Sequence, residues 1–148
     1  MSAPEINDES IKKKHSASIL TRIVALYVDR LASSVLKPFD LSLAGYKILL
    51  ACIQYPKTRI TNALLEKHFQ MSHSTTVGLL NHLEKDGWVK RIPNPDNKRE
   101  KIVVLTEKAE NNKSALLKAG QDLEDQFTAN LTKEETEEYI RLSKKIIE

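Results

Sequence analysis

The chain has 148 residues, a net charge of +3, only four glycines and 5% aromatic side chains, which together indicate one mostly helical domain with helical extensions rather than a multidomain or glycine-rich protein. Its single cysteine, Cys52, excludes an internal disulfide and fits a reducing compartment. The polar opening MSAPEINDES does not read as a secretory leader and the longest apolar run, Ile48 to Ile53, is too short to span a bilayer, so a cytoplasmic chain with no membrane partner is expected.

In chain order, Ile11 to Leu36 carries Ile19, Leu20, Ile23, Val24, Leu26, Tyr27, Leu31 and Val35 at spacings of three and four, a long amphipathic helix stopped by Pro38. Ser42 then caps a helix over Leu43 to Tyr55, stopped by Pro56, with Leu49, Leu50 and Ile53 inward. Thr61 is the next N-cap, and Leu64, Leu65 and Phe69 set a short helix ending near Gln70. After a break of about three residues, Ser72 caps another helix with an apolar stripe of Val77, Leu79, Leu80 and Leu83, running to Gly87.

Two helices joined so tightly must cross steeply, the arrangement of a helix-turn-helix. It leaves His73, Ser74, Val77, Gly78 and Asn81 outward, with Thr75 and Thr76 nearer the junction. Small polar residues at a helix N-terminus approach phosphates and base edges closely, and the helix dipole adds partial positive charge there. A polar N-terminus on an ordinary surface helix is the bland alternative, and the following hairpin weighs against it.

Trp88 to Ile92 reads as a strand, Pro93 to Asn97 as a turn that holds both prolines, and Lys101 to Leu105 as a β-branched return strand. Lys90, Arg91, Lys98, Arg99 and Lys101 outnumber Asp96 and Glu100, so the hairpin carries a net charge of +3. A basic hairpin beside a recognition helix reaches an adjacent groove, where a narrow minor groove attracts arginine. Net charge along the chain is +2 over residues 1–56, +4 over 57–101 and −3 over 102–148, the asymmetry that phosphate neutralisation favours.

Leu64 to Thr106, above all MSHSTTVGLLNHLEKDGWVKR followed by DNKREKIVVLT, resembles the recognition helix and wing of the MarR family of bacterial winged-helix regulators. Aligned on Val103-x-Leu105-Thr106, Lys98 and Arg99 take the places of the family's two wing arginines. Asn97 falls where the family has aspartate, and Asp96 is positioned to replace the carboxylate that fixes a wing arginine. Ala109 stands where the family often has glycine. The resemblance implies a homodimer on a pseudo-palindromic operator, and a small aromatic or phenolic effector held between the dimer helices and the DNA-binding part. Tyr27 and Tyr46 are candidate lining residues for that cleft, although aromatics on apolar helix faces are more often core.

Beyond the wing, Glu107 to about Asn130 carries Ala109, Leu116, Leu117, Leu123 and Phe127, and Thr132 with Glu135 makes a capping box for a last helix bearing Tyr139, Ile140, Leu142, Ile146 and Ile147. So much apolar surface at both ends calls for a second copy. His15, His68, His73 and His82 show no metal-ligand spacing, Cys52 reads as core, and no catalytic constellation is evident, so no cofactor, metal or enzyme activity is expected.

The expected fold is mainly α with a small β-hairpin (α+β), a single domain over 1–148 with a winged helix-turn-helix core at 42–106 and dimerisation helices at 10–37 and 107–148. The expected function is sequence-specific binding of double-stranded DNA by a homodimeric repressor, released by a small ligand. Ser72, His73, Ser74, Thr76, Val77 and Asn81 are the expected contacts of the recognition helix, and Lys90, Arg91, Lys98, Arg99 and Lys101 those of the wing. The rival is a winged helix that docks proteins without reading DNA, against which stand the lysines and the scarcity of aromatic anchors.

Overall fold

The computed structural model describes residues 16–148. Along them run α1 (Ala17–Leu36), a 3-10 turn (Lys37–Phe39), α2 (Leu43–Gln54), α3 (Asn62–Phe69), α4 (His73–Lys85), β1 (Val89–Asn94), β2 (Asn97–Leu105), α5 (Glu107–Asn111), α6 (Lys113–Phe127) and α7 (Lys133–Ile147). This is the mainly helical fold with one antiparallel hairpin that the residue pattern predicts.

Helix starts follow the caps. Ser42 accepts from Gly45 N at 3.0 Å, Thr61 from Leu64 N at 3.3 Å and Ser72 from Thr75 N at 3.2 Å, each hydroxyl satisfying a donor that the helix cannot. Thr132 and Glu135 close a reciprocal capping box on α7 at 3.1 and 2.9 Å. The first helix departs from expectation: Ser16 has extended backbone (φ −70°, ψ 162°), so α1 begins at Ala17 instead of continuing from Ile11, and Ile11 to His15 lies outside the described residues. The helix expected over Glu107 to Asn130 is also broken. Asn112 (φ −101°, ψ 4°) separates α5 from α6, its side-chain amide donating to Lys108 O at 2.8 Å and so competing for a helical carbonyl, and α6 ends at Phe127.

α2 is the central element, burying Tyr46, Ile48, Leu49, Cys52 and Ile53. Around it pack Leu36, Leu65, Leu80, Leu83, Val89 and Leu116, all fully buried. Leu64, expected inward, is exposed, because α3 turns only Leu65 fully into the core. Cys52 is buried with these residues, and burial pushes its thiol from the ordinary 9.0 up to about 11, so it stays protonated.

The hairpin is longer and more irregular than expected. The strands pair from Val89↔Leu105 to Pro93↔Lys101 and then jump to Asn94↔Asn97, which leaves Lys98, Arg99 and Glu100 of β2 without partners on β1, a bulge in the ladder. The connecting turn is therefore Pro95-Asp96 alone, and Pro93 lies in β1 beside the irregularity, where a missing N–H is tolerated. Val103 N also donates to Ile60 O at 2.8 Å, tying β2 to the segment that enters α3.

One joint sets the hairpin against α4. The chain leaves α4 through Gly87, whose φ of +80° suits a residue without Cβ. The Thr106 hydroxyl donates to Gly87 O and to Trp88 O, the second at 3.1 Å, while Thr106 N also donates to Trp88 O at 3.1 Å. Trp88 is buried with its indole edge-on to Phe39, and Lys108 Nζ sits 4.2 Å from its ring centroid and donates to Asp86 O.

α6 packs on α1 and α2, and the Tyr46 hydroxyl donates to Leu116 O at 2.7 Å. α7 has no buried residue; Tyr139 meets Phe127, which meets Tyr27, with centroids 5.9 and 6.4 Å apart. Ile19, Ile23 and Leu26 on α1 and Ile140, Leu142, Ile146 and Ile147 on α7 stay exposed. A Cβ added at Gly120 would collide with Tyr46 Oη, with Cζ next at 3.3 Å. Gly120→Ala is therefore expected to lower the unfolding free energy by about 1–2 kcal/mol, despite the roughly 1 kcal/mol that alanine gains in helix propensity. In a Tyr46→Phe background the same substitution is expected to be neutral or stabilising. Equal costs in both backgrounds, measured by urea unfolding, would show that the hydroxyl contact is not the cause.

Candidate nucleic-acid interface

The exposed side of α4 is built from its first two turns. Ser72, His73, Ser74 and Thr75 are exposed, as are Gly78 and Asn81 further along, and Val77 is half-buried. Ser72 Oγ donates to Thr75 Oγ1 at 2.9 Å and lies 3.3 Å from Ser74 Oγ, so the three hydroxyls form a cluster at the positive end of the helix. Nothing lies within 4 Å of a Cβ built on Gly78, leaving the backbone there open to close approach.

Thr76 requires correction. It is 0% exposed, its hydroxyl donating back to Ser72 O at 3.0 Å, so it lies on the buried side of α4 and cannot meet a base. Thr75 takes the outward place. The two are adjacent and chemically alike, and only the helical phase, set by burying Leu80 and Leu83, tells them apart.

His73 is exposed, and its Nδ1 lies 2.7 Å from Glu66 Oε1, bridging the first turn of α4 to α3. The sequence expects Arg91 to be a DNA contact of the wing that adds electrostatic anchoring. Its guanidinium is engaged instead: Nε donates to Glu84 Oε2 at 3.2 Å, and Nη2 to Glu84 Oε1 at 3.1 Å and to Asn81 Oδ1 at 2.7 Å, with the side chain only 20% exposed. The hydrogen bond and charge of Arg91 hold the Glu84 carboxyl below its usual range.

At the wing tip, Asp96 does not fix a wing arginine. It pairs with Arg59, which precedes Ile60 at the β2 contact, and Arg59 Nη1 also donates to Asn94 Oδ1 at 3.4 Å. Asn97 Oδ1 accepts Arg99 N at 3.1 Å, so this asparagine shapes the backbone of the bulge in place of an ion pair. Among the described residues, Lys90, Lys98, Arg99 and Lys101 make no ion pair, and all four are exposed. A cleft of about 370 Å³, lined by Asn62, Glu66, His73, Arg91, Arg99 and Lys101 among others, runs between the helix pair and the wing. Arg59 and Glu84 are parts of the site for which the residue pattern carries no motif; the only signal for Glu84 was its helical spacing of three from Asn81.

Among the described residues no group of three or more His, Cys, Asp or Glu side chains is placed to hold a metal ion, and no helix is long and apolar enough to cross a membrane.

The model of the MarR family matches residues 41–101. The multiple antibiotic resistance protein MarR of Escherichia coli strain K12 is 34% identical over 124 residues, covering 80% of this chain and 82% of that one, and its Salmonella typhimurium counterpart is 33% identical over 120 residues with the same coverage. A mutant E. coli MarR complexed with operator DNA superposes with a TM-score of 0.78 at 32% identity, covering 88% of this chain and 93% of that one. The Staphylococcus aureus MepR–DNA complex superposes with a TM-score of 0.82 at 21% identity, covering 90% and 98%, a likeness of fold.

Because the Ser72 hydroxyl is spent on its own helix, Ser72→Ala is expected to lower the unfolding free energy by about 1 kcal/mol. Ser72→Asp is expected to retain it, since a carboxylate caps the helix and adds favourable charge at its positive end. Urea unfolding of both variants checks this.

Proposed function

The chain belongs to the MarR family of transcriptional regulators, and on that premise we propose that it is a sequence-specific, homodimeric, cytoplasmic DNA-binding repressor. The observation that carries this reading is the exposed polar first turn of α4 lying beside a wing whose Lys98, Arg99 and Lys101 are exposed and without ion pairs among the described residues. A donor-rich helix N-terminus suits the major groove, and cations on a projecting bulge suit a minor groove or its phosphates. That a similar protein, E. coli MarR, was crystallised with operator DNA supports the same use of the surface here. His73, Ser74, Thr75, Val77 and Asn81 would face the bases, with Lys90 and Lys101 anchoring phosphates.

The exposed apolar faces of α1 and α7 support a dimer, Ile146 and Ile147 being 79% and 84% exposed. Two copies related by a twofold would present their α4 helices to half-sites about 10 bp apart. A groove of about 380 Å³ between α2 and α6, with Leu43, Tyr46, Leu50, Leu117 and Leu123 in its walls and Lys47 at its edge, has the size and character for a small aromatic effector. Such a ligand releases DNA only if it binds more tightly to a dimer whose α4 helices are out of register with the half-sites.

Selection from a random duplex pool at physiological salt, followed by anisotropy titration, tests the reading. A pseudo-palindrome is expected, with affinity falling as salt rises at a log–log slope of about −0.9 for each phosphate neutralised. Arg99→Ala is expected to weaken binding by about 1–3 kcal/mol. Recovery of no motif would overturn sequence-specific binding and favour a protein-docking role. Sedimentation is expected to give a dimer that Ile146→Glu with Ile147→Glu dissociates, and a monomeric wild type would overturn the dimer.

A further inference from the structure

Val77 is the one wholly apolar side chain on a face of α4 that is otherwise polar or bare. Thr76, Leu80 and Leu83 fill the buried side of this helix, and the half-buried Met71 and Leu79 pack against the core. Val77 is half-buried too, but it is not among the residues that pack on that core. It stands instead in line with the exposed His73, Ser74 and Asn81, which lie one turn before and one turn after it.

Two local features make this valine a probe for a surface pressed against the helix. Gly78 beside it has no side chain and nothing within 4 Å of a Cβ built there, and Ser74 is short, so a duplex can come close at this turn. A β-branched valine in a helix has one strongly preferred χ1 rotamer, so its two methyl groups are held in place and little entropy is lost on contact. The partner then follows from groove chemistry. Base edges in the major groove offer hydrogen-bond donors and acceptors with one apolar substituent among them, the C5-methyl group of thymine. A polar edge set against the valine loses its water and gains no bond, whereas the methyl group gains from leaving water.

We propose that Val77 is a specificity-determining residue that reads the C5-methyl group of one thymine in each half-site by apolar contact. The proposal rests on the reading that α4 enters the major groove of a site bound by a dimer, and it names the base feature that one outward side chain selects. The same contact accepts 5-methylcytosine, whose methyl group occupies the same place on the ring.

The test titrates the full chain, as wild type and as Val77→Ala, by anisotropy on the site that wild type selects, with each thymine replaced in turn by uracil at matching positions of both half-sites. Uracil keeps the pairing and the polar edge and removes only the methyl group. At one thymine the wild type is expected to lose about fourfold in affinity per half-site, the effect of one buried methyl group. Val77→Ala, a substitution that a helix favours and that therefore retains the fold, is expected to bind the thymine and uracil sites alike at that position. With cytosine placed there, methylation at C5 is expected to restore about fourfold per half-site to wild type and nothing to Val77→Ala. No thymine at which uracil weakens wild type, the same uracil penalties in Val77→Ala as in wild type, or no gain from 5-methylcytosine would each overturn the contact while leaving sequence-specific binding intact. Failure of wild type to select any motif would instead remove the regulator reading, and the contact with it.

Discussion

The geometry of the site depends on the joint at Gly87, Trp88 and Thr106. Gly87 turns the chain out of α4, Trp88 drives its indole into the core, and Thr106 bonds the two carbonyls around that turn before capping α5. The hairpin is fixed at its root by hydrogen bonds and burial, and at its side by Val103 on Ile60. A groove reader needs a helix and a wing at a set angle, because a displacement of about 1 Å spoils hydrogen bonds that demand 2.7–3.2 Å. Here that angle is a property of the folded core, so the outward residues of α4 need not supply it.

α4 divides its residues between two tasks at adjacent positions. Thr76 and Leu80 face inward and set the crossing of the helix pair, while Thr75, Gly78 and Asn81 face out. The outward residues are small, and the larger side chains nearby are restrained: His73 against Glu66, Arg91 against Glu84 and Asn81. Restraint of this kind lowers the rotamer entropy lost on binding. Lys98 and Arg99, without ion pairs among the described residues, are left to the bulge, where reach matters more than register.

Much of this was legible in the residues. Ser42, Thr61, Ser72 and Thr132 are short polar side chains ahead of apolar periods, and each caps a helix where its chemistry requires. What was not legible depends on contacts between segments. Thr75 and Thr76 differ only in helical phase. Asp96 lies three residues before Arg99 in sequence, yet Arg59 reaches it first from the segment before α3. Asn112 looks like any polar helix position until its amide takes the Lys108 carbonyl. The bulge at Lys98 to Glu100 hides inside a charged run, since a strand register is decided by its partner and not by its own alternation.

The form of the hairpin has a consequence for how the molecule behaves in a crowded solution. A two-stranded sheet exposes backbone donors and acceptors along its free edge, which invites another chain to add a strand. β1 carries Lys90 and Pro93, a repelling charge and a residue with no N–H to share, and β2 is thrown out of line by three residues near its tip. Charges and irregularities that a groove reader would use for reach thus also guard the edge against self-association. Smoothing the wing into an ideal hairpin would give the protein a more regular structure and a stickier one.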